Sequence, residues 1–178
     1  RTGDINKFLI RPISYYWYHF MMFIGVNSLY YTVYTVLLIG IIILSPIQIF
    51  PSGIHIIGFV CALSISVFLS YSIYYIMICF TFWFGEVRSI VVAYNISMTI
   101  ISGQYIPMRL FPDEIIRFLE WTPIIYLVDF PVSIATNTLE PSEWLQNFII
   151  AIFWCFITWF IGKFIYKKGI RSYEAYGS

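Results

Sequence analysis

Residues able to do chemistry are sparse in this chain and do not converge. His19 and His55 are its 2 histidines, each isolated at the boundary of a long apolar run. An imidazole at such a boundary is expected to be interfacial rather than a metal ligand. The 3 cysteines, Cys61, Cys79 and Cys155, all lie within apolar runs and show no CxxC spacing. Neither a disulfide framework nor a zinc site is expected of them, and they read as small apolar packing groups. There is no G-x-x-x-x-G-K-[ST] phosphate loop, H-E-x-x-H, G-x-S-x-G or convergent carboxylate pair. Asn95-Ile96-Ser97 matches a glycosylation sequon but falls inside an apolar run, so it reads as incidental. Catalysis, metal and cofactor are therefore not expected in this chain.

The elements that must position these residues are apolar. Of 178 residues, 60% are hydrophobic and 11% charged, and the mean hydropathy is +0.82. Soluble domains carry about a quarter charged residues, so a soluble enzyme, a nucleic-acid binder and a disordered tail are all excluded. With 10 Lys+Arg against 9 Asp+Glu, no global field attracts an acidic partner. Residues 12–85 contain no Asp, Glu, Lys or Arg, which suffices for two crossings of a bilayer. The composition predicts an all-α, polytopic integral membrane protein. Residue 1 is Arg and no signal-peptide pattern follows it, so the chain is expected to begin inside a longer protein. The abundance of Ile, Tyr, Phe and Asn suggests an AT-rich bacterial genome.

Four spans are expected, at about residues 24–45, 55–84, 89–106 and 144–166. The second is longer than a hydrocarbon core of about 30 Å requires. It must tilt or project. Arg1, Lys7, Arg11, Arg88, Lys163, Lys167, Lys168 and Arg171 would share one side, leaving Arg109 and Arg117 on the other. Under the positive-inside rule, both termini are then cytoplasmic. Residues 1–23 are expected to form a cytoplasmic interfacial segment, 24–166 the membrane domain and 167–178 a basic cytoplasmic tail.

Two elements outside the spans carry a pattern. Within residues 2–20, Ile5, Phe8 and Leu9 share a helical face that Asp4, Lys7 and Arg11 avoid, and Pro12 then breaks it. This reads as a membrane-surface helix or as a docking surface for a cytoplasmic partner. On the other side, residues 111–121 read as a short amphipathic helix with Pro112 at its first position. Ile115, Phe118 and Leu119 would form its apolar face, and Asp113 and Arg117 an i,i+4 pair. Residues 123–136 are apolar but reach only about 20 Å as a helix. They hold Asp129 and are punctuated by Pro123 and Pro131. A re-entrant element, shielded by protein, is expected there. With the preceding helix it would make an outer hairpin within the external segment 107–143.

The spans lack charge but not polarity. Asn27, Ser28 and Thr32 lie in the first, Ser64, Ser66, Tyr71 and Tyr74 in the second, and Asn95, Thr99 and Ser102 in the third. Such residues serve as glue between membrane helices. The competing reading makes Asn27, Thr32, Tyr71, Tyr74, Asn95 and Ser102 the lining of a substrate path. No ionisable residue sits at a span centre, which argues against an ion-coupled transporter.

Three passages carry a family likeness. Gly3-Asp4-Ile5-Asn6-Lys7-Phe8-Leu9-Ile10-Arg11-Pro12 resembles the cytoplasmic segment after the second span of the permease subunits of bacterial type-2 ABC exporters, the type V transporter fold. Ser102-Gly103-Gln104-Tyr105-Ile106-Pro107-Met108-Arg109-Leu110-Phe111-Pro112, then Pro123 and Pro131, resembles the outer segment after their fifth span. Gly169-Ile170-Arg171-Ser172-Tyr173-Glu174-Ala175-Tyr176-Gly177 resembles their cytoplasmic tail. The likeness implies that this chain holds spans three to six of six, without the first two. It implies a bacterial plasma-membrane permease, working as a homo- or heterodimer with separate ABC ATPase subunits that bind ATP and magnesium. Asp4, Lys7, Phe8, Leu9 and Arg11 would contact the ATPase. Gly103, Pro107, Pro112, Pro123, Asp129 and Pro131 would build an outer gate. Amphiphiles such as drugs, peptides, lipids or glycans would be exported. The alternative is a non-transporting membrane anchor, immunity protein or assembly scaffold.

Overall fold

A computed structural model describes residues 14–44, 52–84, 87–101 and 110–176, all helix, turn or bend. The chain divides into two compact units, residues 1–48 and 49–178.

In the first unit, α1 runs from Tyr15 to Leu44 without interruption. Its 30 residues reach about 45 Å and are apolar on every side, the character of a helix in lipid. Tyr15, Tyr16, Trp17 and Tyr18 are the first turn of this helix, which starts nine residues before the expected span. The polar side chains of α1 bond within it. Asn27 Nδ2 donates to the Phe23 carbonyl at 2.8 Å and Thr32 Oγ1 to the Ser28 carbonyl at 2.8 Å. Such back-bonding lets a hydroxyl or amide sit in hydrocarbon without an orphaned donor. The expected docking segment, with Asp4, Lys7, Phe8, Leu9 and Arg11, lies outside the described residues.

The second unit is built on α2 (Gly53–Cys79) and α7 (Pro141–Tyr176). A turn at Phe80 separates α2 from the four-residue α3 (Thr81–Phe84), so the long second span is broken near its end. The shorter elements are α4 (Arg88–Ile101), α5 (Asp113–Glu120) and α6 (Asp129–Ala135). α1, α2 with α3, and α7 are each long and apolar enough to cross a membrane. The 14 described residues of α4 reach about 21 Å, short of a full crossing. Residues 102–109, where the third span was expected to end, lie outside the described residues, and with them Ser102, Gly103, Pro107 and Arg109.

α2 buries a main stripe, with Tyr71 and Met77 buried beside it: His55, Gly58, Ala62, Ser66, Leu69, Ser72, Tyr75 and Cys79. These positions recur every three or four residues, the period of a single helical face. Gly58, Ala62 and Ser66 are small at intervals of four, which lets another backbone come close. The space is filled by aromatic rings. The Trp144 ring lies 2.7 Å from where a Cβ on Gly58 would stand. The roles then reverse, with Tyr75 packed at 2.9 Å over Gly162 and Phe82 at 2.5 Å over Gly169. Between them the Cys155 thiol approaches the Ile65 carbonyl at 3.8 Å. Both helices advance together through these pairs, so α2 and α7 are parallel. Their N-termini share one end of the unit, and their C-termini share the other with Lys167, Lys168 and Arg171.

α7 starts three residues before the expected span and continues ten residues beyond it, so most of the expected tail is helical. Lys163 lies over the Trp159 ring at 4.9 Å, a cation–π contact suited to a cation held near apolar surface.

Candidate functional site

The chain between α5 and α7 determines what the His55 end can do. α5 forms as expected, but Pro112 occupies the cap position before the helix, with φ −56° and ψ 143°, rather than its first turn. Of the expected apolar face only Leu119 is buried, whereas Phe118 and Ile115 are exposed. The Asp113 side chain lies outside the described residues, and with it the expected pair with Arg117. Residues 121–128 then form consecutive turns, and α6 follows. Residues 123–136 do not make a continuous helix.

Two polar anchors set the depth of this segment. Deep along α2, buried Ser66 donates its hydroxyl to the Tyr126 carbonyl at 2.9 Å and to the Leu127 carbonyl. At the start of α2, His55 Nε2 meets Asn137 Oδ1 at 2.9 Å. The anchors are eleven residues apart on α2, about 16 Å along its axis. The segment therefore runs beside α2 from the level of Ser66 back to the level of His55. Non-helical carbonyls at that depth need a donor from protein, and Ser66 supplies it. Phe130, Pro131, Ile134 and Ala135 of α6 are buried, with Phe130 and Ile134 in the same core as Ala62, Leu69 and Ala151. Pro123 lies two turn residues ahead of the Tyr126 anchor, partly buried.

The His55 anchor extends further. Ser52 Oγ lies 2.8 Å from His55 Nδ1, and the His55 ring stands edge-to-face to Trp144 with centroids 5.0 Å apart. An amide oxygen only accepts, so Nε2 carries the hydrogen and Nδ1 accepts from the Ser52 hydroxyl. Ser52 is the cap residue of α2, and its hydroxyl makes no backbone capping bond. Asn137 sits at φ 53°, the left-handed conformation that Asn tolerates better than most residues. Trp144 Nε1 donates to the Leu139 carbonyl at 3.2 Å. The sequence signal for this arrangement is the spacing Ser52-x-x-His55, that of a capping box with His replacing Glu. His55 is thus a buried, bonded residue, and the expectation of an isolated interfacial histidine is corrected.

Between α5, the turns, α6 and α7 lies a half-open cavity of about 680 Å³. Its polar wall holds Glu120, Asp129, Glu143, Gln146 and Asn147; its apolar wall holds Ile125, Phe130, Ile150, Phe153 and Trp154. Ser133 Oγ approaches Asp129 Oδ2 at 3.5 Å, and Asn147 Nδ2 donates to the Glu143 carbonyl at 3.0 Å. Burial, and then the negative charge of Glu120, hold the Tyr126 phenol above its ordinary range and so keep it neutral.

Among the described residues, Asp129 is the one expected gate residue that lines this cavity, while Pro131 is buried on α6. Asn27, Thr32, Tyr71, Tyr74 and Asn95 do not line it. Tyr71 is fully buried, its ring centroid 6.0 Å from that of Tyr75. Among the described residues, no group of His, Cys, Asp and Glu is arranged to hold a metal ion.

The family model described as "ABC-2 family transporter protein" matches residues 1–177. No curated protein and no solved structure matches the chain.

Proposed function

The chain belongs to the ABC-2 family of transporter proteins, and from that premise we propose that it is the permease subunit of an ATP-driven exporter of amphiphiles. It is a membrane component of the transporter. ATP binding and hydrolysis fall to separate ATPase subunits, since the chain has no phosphate loop. The permease pairs with a second permease subunit, and Asp4, Lys7, Phe8, Leu9 and Arg11 belong to the surface that meets the ATPase. Both termini lie in the cytoplasm of a bacterial cell.

The observation that carries the reading is the short segment held beside α2 by Ser66 and His55. A backbone that descends and returns within protein is tolerated at membrane depth, and it closes one end of a conduit without crossing it. Parallel α2 and α7 support the orientation. The chain leaving α2 must return to the other end before α7 begins, and α4 with the residues after it is the segment able to do so. Asp129 is part of the seal, facing the cavity rather than hydrocarbon.

Co-purification with the ATPase subunit, followed by an ATPase assay in lipid, tests the reading. Activity is expected only in the complex, and replacing Lys7 and Arg11 by Glu should weaken the association. An unchanged pull-down and unchanged transport in that variant would refute the docking surface. An impermeant thiol reagent should label a cysteine placed at Glu140 and spare one at Ser172. The reverse pattern refutes the topology.

A further inference from the structure

The cavity beside α7 has a direction. Its α7 wall runs through Glu143, Gln146, Asn147, Ile150, Phe153 and Trp154, positions separated by three or four residues except for two adjacent pairs, and so on one helical face. Polarity along that face is sorted by depth. The charged and amide side chains occupy the first turns, and the aliphatic and aromatic ones follow over about 16 Å. Glu120 and Asp129 add carboxylates from the facing elements, and Ile125 and Phe130 add apolar surface. Among the described residues no Lys or Arg lines the cavity. The positive end of the α7 dipole is worth about half a charge, against the carboxylates of Glu120 and Glu143 even before Asp129 is counted.

We propose that this cavity binds an amphiphile with a cationic head, its ammonium or other cation among Glu120, Asp129 and Glu143 and its apolar body against Ile150, Phe153 and Trp154. The inference rests on the exporter reading and names the class of its substrate. The volume, about 680 Å³, is within the range of pockets that enclose a drug-sized molecule, roughly 300–1,000 Å³. Charge selects the head, because an anion placed there would meet three like charges. The aromatic wall selects the body, and Trp154 and Phe153 offer ring faces that attract cations as well as hydrocarbon. A neutral hydrocarbon would leave the carboxylate end unmatched. A small hydrophilic cation would leave the aromatic end empty.

The test uses the chain alone, in bilayer nanodiscs of phosphatidylcholine, with rhodamine 6G as the cationic probe and sulforhodamine as its anionic counterpart. Anisotropy should report saturable binding of rhodamine 6G and none of sulforhodamine. Glu120→Gln with Glu143→Gln, two exposed changes that keep side-chain shape, should weaken binding about tenfold or more by removing two of three charges. Asp129→Asn should weaken it further, and Phe153→Ala should weaken it without changing its dependence on salt. Loss of dye binding when phosphatidylethanolamine replaces part of the lipid would identify the cation as a lipid amine of the same chemistry. Equal binding of both dyes, or unaltered affinity in the carboxamide variants, overturns the proposal. No ATPase is present, so the result is independent of the transport reading. Dye binding without ATPase coupling in the complex would remove that reading and leave the site, and ATP-driven transport without dye binding would do the reverse.

Discussion

The two ends of the α2–α7 pair are fastened by different physics. At the His55 end the Trp144 ring packs on Gly58, and an intervening segment beside the helices is held by hydrogen bonds. Ser66 bonds to the carbonyls of Tyr126 and Leu127, His55 to Asn137, and Trp144 to the Leu139 carbonyl. At the other end the helices touch through shape, with Tyr75 laid on Gly162 and Phe82 on Gly169, and the Tyr166 ring 5.9 Å from that of Phe82. Hydrogen bonds can be exchanged for others at little net cost, because each is worth about 1 kcal/mol when its groups are otherwise satisfied. Interdigitated rings cannot move without leaving a void or a clash. Ring packing fixes the helices at both ends, and the bonded segment at the His55 end is where opening costs least.

Five substitutions separate these descriptions. Gly169→Leu should have the largest effect, about 3 kcal/mol of destabilisation, since its first added carbon already meets the Phe82 ring at 2.5 Å. Thermal unfolding in detergent measures it, and a loss below about 1 kcal/mol would mean that the ring end yields easily. Ser66→Ala changes the volume little but leaves two carbonyls without their donor, and should cost about 2 kcal/mol. Hydrogen exchange should rise across residues 121–136 and stay unchanged at residues 162–169. Exchange rising equally in both places would erase the distinction. His55→Phe retains a ring against Trp144 and removes both bonds, for about 1 kcal/mol. Combined with Asn137→Gly it should lose less than the sum of the two, since both variants break the same bond. Gly25→Leu on α1, with nothing within 4 Å of the added carbon, should change stability by less than about 0.5 kcal/mol.

The ring end was less legible in the sequence than the apolar runs that contain it. The long runs announced α1, α2 and α7 because lipid demands continuous apolarity, and residues 123–136, which include α6, stood out by being too short to cross. α5 followed from its alternating charged and apolar residues. Partners were not legible. Nothing local says that Gly169 receives Phe82, or that Ser66 rather than Ser64 turns its hydroxyl away from its own helix. Ser64 bonds to the Val60 carbonyl four residues back, the default for a serine in a membrane helix. His55 looked isolated because Asn137 is 82 positions away in the chain. The aqueous-side cavity was legible only through Asp129, whose charge in an apolar segment required a polar surrounding. Glu120 and Glu143 gave no such signal, because both lie in stretches already polar.

Parallel packing of α2 and α7 also fixes an order of events during synthesis. Ile65 and Cys155, neighbours across the pair, are 90 positions apart. At about 5–20 residues per second, roughly 5–20 s separate the emergence of the two. Neighbouring hairpin helices meet almost at once, but α2 has to wait in the bilayer for α7. During that wait its Gly58, Ala62 and Ser66 face is uncovered, and this small-residue stripe is open to any other helix that passes. Shortening the wait, or supplying α7 in trans before α2 emerges, would change the yield of folded protein without altering a single native contact.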